Sequence, residues 1–220
     1  SAASDVYKRQ IQNPDLKPEK SFGWDLGPAI EFERFGMGTS YYVTRYSDLI
    51  KSEADYIANT LTYVNVNRAR TSGVEAFSWV KPIDAVRLSL NYAYNHFRYA
   101  SGDNDSKTIK LKPGQIFTTQ ADYLPVIAGR QTDFFVTYQF REGVYMDEQN
   151  TEKTGNRNLL DTGMSVNIGT TAVVAFKACN ILNDQSPEYN AKYDDPYFGV
   201  SYYWYPLPGR SYRGSIQVKF

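Results

Sequence analysis

The sequence predicts an all-β chain: about nine antiparallel strands running up and down as one segment of a transmembrane β-barrel. Three observations predict it. Helical periodicity is nearly absent, while apolar and polar residues alternate with a period of two in stretch after stretch. The connections alternate between short and long, so every long one falls at the same end of the sheet, as in outer-membrane barrels. The final strand, "RSYRGSIQVKF", keeps its apolar alternation to the last residue.

The strands follow in order. In "SFGWDLGPAIEF" (21–32), Phe22, Trp24, Leu26, Ile30 and Phe32 share one face, and Gly23, Asp25, Gly27 and Glu31 the other. Less regular strands are expected around 37–51 and 65–80. In "VRLSLNYAYN" (86–95), Val86, Leu88, Leu90, Tyr92 and Tyr94 oppose Arg87, Ser89, Asn91, Ala93 and Asn95. In "TDFFVTYQF" (132–140), Phe134, Val136, Tyr138 and Phe140 oppose Asp133, Thr137 and Gln139, with Phe135 spoiling the polar face. A strand is expected at 143–149, a regular one over "LLDTGMSVNI" (159–168), and another at 171–182. Short turns are expected at "ERFG" (33–36), "KPIDA" (81–85), "FREG" (140–143) and "NIGTT" (167–171). Long loops are expected near 52–64, 100–126, 150–157 and 183–208. With the last strand ending in the periplasm, Trp79, Phe140 and Phe220 fall near periplasmic ends, and Tyr46, Tyr99 and Tyr123 near outer ends.

Composition narrows the function classes. The 24 basic and 24 acidic residues cancel, which argues against binding nucleic acid through bulk charge. A mean hydropathy of −0.51 is compatible with a barrel, whose strands alternate lipid-facing and lumen-facing residues. No run approaches the roughly 18 apolar residues of a spanning helix. A single cysteine, Cys179, leaves no internal disulfide framework. Residues 1–10 read differently from the rest. One permitted back-translation of Asp5–Gln10, GAT GTG TAT AAG AGA CAG, matches a transposon end used in preparing sequencing libraries. These residues are therefore expected to be an artefact, leaving 11–220 as the domain.

No catalytic constellation appears, and no cofactor is implied. The lone histidine, His96, alternates with Tyr92 and Tyr94 and reads as an interface anchor. Cys179 shares a face with Lys177 and reads as a small filler. "SGDNDS" (101–106) offers Asp103, Asn104 and Asp105 but lacks the spacing and distal Glu of a calcium loop. "YDDPYFGVSYYWYP" (193–206) gathers Tyr197, Phe198, Tyr202, Tyr203, Trp204 and Tyr205, which could stack against a planar chelate or a sugar ring.

Four blocks, "NPDLKPEKSFGWDLG" (13–27), "NVNRARTSGVE" (65–75), "ACNILND" (178–184) and "PGRSYRGSIQVKF" (208–220), resemble the C-terminal half of a TonB-dependent outer-membrane receptor. Asn180, Leu182 and Asp184 match the family's penultimate-strand pattern, and "PGR" opens its final strand. The resemblance implies a 22-stranded barrel in the outer membrane of a Gram-negative bacterium. It implies an N-terminal plug, absent from this chain, on which the TonB complex pulls, and import of a siderophore, haem, cobalamin or glycan. On that reading Asp25, Glu75, Arg87, Asn91, Asp161 and Arg213 face the lumen, towards plug or solute. Tyr212, Gly214, Ile216, Val218 and Phe220 form the signal read by the barrel assembly machinery. A fragment of about nine strands is not expected to transport alone. Two other classes share the alternation: a soluble all-β ligand- or carbohydrate-binding module, and a small complete outer-membrane barrel of the phospholipase kind. The latter would need a serine partner for His96, and none is evident.

Overall fold

The computed structural model describes residues 9–55, 58, 60–195 and 199–218. Fourteen strands, and no helix, make up its regular structure. The first half contributes β1 (Arg9–Ile11), β2 (Lys20–Leu26), β3 (Ala29–Glu31), β4 (Phe35–Asp55), β5 (Thr60–Ile83), β6 (Val86–Tyr99) and β7 (Gln115–Tyr123). The second contributes β8 (Val126–Ile127), β9 (Arg130–Arg141), β10 (Arg157–Ile168), β11 (Ala172–Cys179), β12 (Pro187–Asp195), β13 (Gly199–Pro206) and β14 (Ser211–Val218). Nine of them form the sheet β14-β11-β10-β9-β7-β6-β5-β4-β2. Apart from the short β8 and the excursion of β12 and β13, each lies beside its neighbour in the chain, an up-and-down meander. β3 continues β2 along β4, β8 caps β9, β1 runs parallel to β5, and β12 and β13 form a separate hairpin. The sheet is not closed: β2 and β14 are its edges.

The number of main strands agrees with the sequence, but their membership does not. β7 lies inside the segment expected to be a long loop (100–126). Its apolar face is diluted by Thr119 and Ala121, leaving only Phe117 and Tyr123 as strong signals. Conversely, 143–149 is loop. The Thr154 hydroxyl donates to the Gly155 carbonyl at 3.2 Å and accepts from the Val144 N–H at 2.9 Å, and the Thr154 N–H donates to the Val144 carbonyl at 2.9 Å. This segment folds onto its own loop and buries Val144 there.

The two errors propagate. "FREG" is no turn. The short connection is 124–129, where Ala128 (φ 50°) and Gly129 (φ 73°) close a two-residue hairpin between the paired Ile127 and Arg130. Phe140 therefore stands at the long-loop end and Tyr123 at the short-turn end, each opposite to expectation. Two expected loops also contain strands. Over 52–64, β4 and β5 continue pairing as a ribbon as far as Asp55↔Thr60, and 183–208 holds the β12–β13 hairpin.

Register sorts the side chains into two faces, because directly opposed residues lie on the same side. One face is apolar: Leu26↔Tyr41↔Val74↔Tyr94 and Phe134↔Met164↔Phe176 are typical rows. The other is polar and rich in glycine. Several large aromatic side chains on the polar face each cover a glycine of the adjacent strand, Tyr42 over Gly73 among them. Trp79 lies over Gly36, Phe77 over Gly38 and Phe135 over Gly163. A Cβ on Gly163 would come within 2.7 Å of the Phe135 ring and 2.6 Å of the Phe176 carbonyl oxygen. Phe135, the residue that spoils the polar alternation, is thus accommodated by a glycine 28 residues further along the chain.

Among the described residues only Val43, Ala69, Val144 and Ala178 are buried apolar residues, while Phe22, Leu26 and Ile216 are each more than 70% exposed. A water-soluble sheet needs a second layer over its apolar face. Among the described residues no second layer covers this sheet's apolar face, and its large apolar side chains are left exposed.

Candidate functional site

The polar face gathers the polar residues singled out in the sequence. Asp25 pairs with Tyr42, Glu75 with Ala93, Asn91 with Phe77, Arg87 with Asp122, Asp161 with Thr137 and Arg213 with Lys177, so all six lie on this side. They do not form one site. Asp25, Glu75 and Asn91 line a cavity of about 560 Å³ together with Ser40, Phe77 and Thr118. Arg87 lies in an adjoining hollow with Trp79, Gln120 and Asp122, its guanidinium 4.9 Å from the Trp79 ring centre. Asp161 lies further round the sheet, in an ion pair with Lys177 at 2.9 Å. Lys177 and Asp122 complete these clusters, and sequence reasoning missed them as partners because each sits on a different strand.

The aromatic segment is divided. Tyr197 and Phe198 lie outside the described residues. Tyr202 and Trp204 alternate onto one side of β13, with ring centres 6.4 Å apart. The Tyr202 hydroxyl donates to the Glu152 carboxylate at 2.9 Å, tying the hairpin to loop 142–156. Tyr205 falls on the opposite side of the strand, and Tyr203 pairs with Ala191. Trp204 and Tyr205 are about two-thirds exposed. On β14, Tyr212, Gly214, Ile216 and Val218 lie on the apolar face opposite Ala178, Phe176, Val174 and Ala172. Phe220 lies outside the described residues. His96 pairs with Ser72 on the apolar face, and Cys179 with Ser211 on the polar face. In "SGDNDS", Asn104 Nδ2 donates to Glu148 at 3.0 Å, fastening loop 100–114 to loop 142–156.

The most highly connected cluster lies at the long-loop end, where "ACNILND" meets "PGR". Asn180, only 6% exposed, adopts φ 51°, a left-handed conformation that asparagine tolerates better than most residues. Its Nδ2 donates to the Asp184 carbonyl at 2.9 Å and the Pro208 carbonyl at 3.0 Å, and its Oδ1 accepts from the Asp184 N–H at 2.9 Å. Its own N–H donates to Asp161 Oδ1 at 2.8 Å. Asp184 in turn accepts from the Asn158 N–H at 2.6 Å and the Ser186 N–H at 2.8 Å. Arg210 of "PGR" donates through Nε and Nη2 to the Ile181 carbonyl. One buried amide thereby joins β10, β11, the start of the long excursion and the approach to β14. Leu182, the apolar member of the block, is exposed and takes no part in this network.

Burial works against the charge on Asp184. The neighbouring Ser186 hydroxyl and N–H, the Asn158 N–H and the positive Arg157 outweigh it and hold the carboxyl below the usual carboxylate range. The unfolded chain binds this proton more readily. The stabilisation is therefore present above about pH 4 and fades as pH falls through the lower, folded value.

Known structures share the fold. The ferric yersiniabactin uptake receptor FyuA from Yersinia pestis superposes with a TM-score of 0.75 at 15% identity, over 92% of this chain and 30% of that one. BauA, the ferric preacinetobactin receptor from Acinetobacter baumannii, gives 0.69 at 20% identity, over 96% and 32%. The copper transporter OprC gives 0.78 at 15% identity, over 97% and 35%. The chain thus spans about a third of the length of these proteins. A family model described as "TonB dependent receptor-like, beta-barrel" matches residues 2–183. With a meander of nine main strands, one apolar face and its long loops at one end, the chain belongs to the TonB-dependent receptor β-barrel family.

Proposed function

We propose that residues 11–220 are the C-terminal part of the barrel of an outer-membrane receptor that binds a scarce solute and imports it with energy from TonB. The chain is read as part of a binding and transport protein, not an enzyme. The observation that carries this is the two-faced sheet: an apolar face suited to lipid, and a polar face with a cavity of about 560 Å³ suited to plug and solute. On this reading the long loops lie outside the cell. The polar-face residues Asp25, Glu75, Arg87, Asn91, Asp161 and Arg213 line the lumen, towards the receptor's plug. The cargo class is a metal chelate or a similar small solute, in keeping with the ferric siderophore receptors FyuA and BauA and the copper transporter OprC.

The test is uptake in cells lacking the receptor and complemented with the full-length gene, using labelled ferric catecholate and hydroxamate siderophores, haem, cobalamin and copper. One of these is expected to accumulate, and only when TonB is present. Accumulation that persists without TonB would overturn the reading. The exposed hairpin supplies the aromatic contacts. Trp204→Ala is expected to weaken binding of the accumulated solute roughly two- to tenfold, the range for loss of one ring contact. Binding unchanged by this substitution would remove the hairpin from the site.

The alternation of Tyr212, Gly214, Ile216 and Val218 supports an assembly role for the last strand, with Phe220 as its final element. Deleting Phe220 from the full-length receptor is expected to lower its surface level while leaving synthesis intact, measured by surface labelling against total protein. Equal surface levels would refute the role.

A further inference from the structure

The apolar face changes character abruptly towards the long loops. Arg45 on β4, Arg70 on β5 and Arg98 on β6 are direct cross-strand partners, Arg45↔Arg70 and Arg70↔Arg98, and form one row on that face. Arg68 flanks the row two residues further out, paired with Ser47, which in turn pairs with Lys20. All four arginines are exposed, and none takes part in an ion pair among the described residues. Between the short turns and this row, no paired position on the apolar face carries Asp or Glu. Like charges placed directly opposite one another are destabilising. With strands about 4.8 Å apart, three guanidinium-bearing residues start within about 10 Å of each other. The row therefore calls for an external anion.

Position identifies the anion. From Phe35 to Arg45 on β4, and from Val80 to Arg70 on β5, is ten residues; from Val86 to Arg98 on β6 it is twelve. At about 3.3 Å per residue and a tilt of about 40°, these runs rise about 25–30 Å, the height of the apolar band of a membrane barrel. The arginines thus stand at its upper boundary. Phe22, paired with Arg45, continues the apolar surface into the basic one. Such a surface matches an amphiphile with acyl chains below and an anionic head above. At the short-turn end the same face has no basic row. Phe35, Val80 and Leu88 stand in line there, and the nearby Arg34 is neutralised by Asp84 at 2.9 Å.

We propose that Arg45, Arg70 and Arg98 form a binding site for the phosphate groups of a lipid in the outer leaflet, engaged by the charge-assisted, forked hydrogen bonds that arginine makes with phosphate. The proposal rests on the outward orientation of the long loops given above. Phosphate on a lipid is bound here, and free inorganic phosphate is not the ligand.

The test uses the full-length receptor in mild detergent, with native mass spectrometry reading retention of added bis-phosphorylated lipid A. Dephosphorylated lipid A is expected to be retained at least tenfold less. The triple variant Arg45→Gln, Arg70→Gln, Arg98→Gln is expected to lose the same preference, and the corresponding triple Lys variant to keep most of it. Equal retention of the two lipids by the unaltered receptor overturns the proposal without reliance on any variant. Retention by the Gln variant equal to that of the unaltered receptor also overturns it. Displacement of the lipid by millimolar inorganic phosphate would make this an ion site and equally overturn it. Labelling of the exposed loop position Asp105→Cys, in a receptor carrying Cys179→Ser, by an impermeant maleimide on intact cells reads the orientation separately. Labelled loops without a lipid preference therefore refute the lipid site alone.

Discussion

Asn180→Ala is expected to destabilise the receptor by about 3–5 kcal/mol, because it strands several buried backbone groups at once. The side chain satisfies the Asp184 N–H and the carbonyls of Asp184 and Pro208. Each buried group left without a partner costs about 1–3 kcal/mol, and water admitted at the loop end recovers part of the sum. Alanine must also hold φ 51°, which costs about 1–2 kcal/mol in the left-handed region. Asn180→Gly separates the two contributions: it loses the same hydrogen bonds without the conformational cost, and so should recover about 1–2 kcal/mol relative to alanine. The measurement is the urea midpoint of the full-length receptor refolded in lipid vesicles, at constant dependence on denaturant. Loss below about 1 kcal/mol for Asn180→Ala would mean that the cluster does not hold the long excursion in place.

That cluster marks the boundary of what the sequence can disclose. "ACNILND" and "PGR" are visible as separate blocks, and nothing in either says that Pro208 will accept a hydrogen bond from Asn180, 28 residues earlier. Strands such as 86–95 and 159–168 could be read because each carries its own alternation, and a period of two is a local property. β7 could not, because Thr119 and Ala121 are as much at home in a loop as on a lipid-facing surface. Phe135 looked like noise because its explanation, Gly163, sits on the next strand. The arginine row is the same problem in another form. Arg45, Arg70 and Arg98 lie 25 and 28 residues apart, and only the register sets them side by side. The faces themselves were readable, because burial against lipid selects residues one strand at a time. Clusters that bind or lock are built across strands, where a single sequence has no periodicity to show them.

Leu90→Arg is expected to cost about 2–3 kcal/mol of folding stability in lipid, whereas Asn91→Arg, one residue away, should cost less than about 0.5 kcal/mol. Leu90 lies between Ser78 and Thr119 on the apolar face, four residues above Val86 and eight below Arg98. At about 3.3 Å per residue and a tilt of about 40°, this places it some 10 Å into a band of about 25–30 Å, a few ångströms from the midplane. A guanidinium there reaches water only by extending along the strand, and the penalty at mid-depth is about 2–4 kcal/mol. Arg98 carries the same group on the same face, and on the proposed placement it stands where headgroups begin and escapes that cost. Asn91 points the other way, into the cavity shared with Asp25 and Glu75, where an added positive charge meets carboxylates. The comparison therefore tests facing and depth together, by urea titration of full-length variants folded into vesicles. Equal costs for the two substitutions would mean that the sheet does not separate lipid from lumen as its register indicates. A Leu90→Arg cost near zero, with Asn91→Arg unchanged, would instead place Leu90 at a headgroup boundary and shift the arginine row out of the outer leaflet.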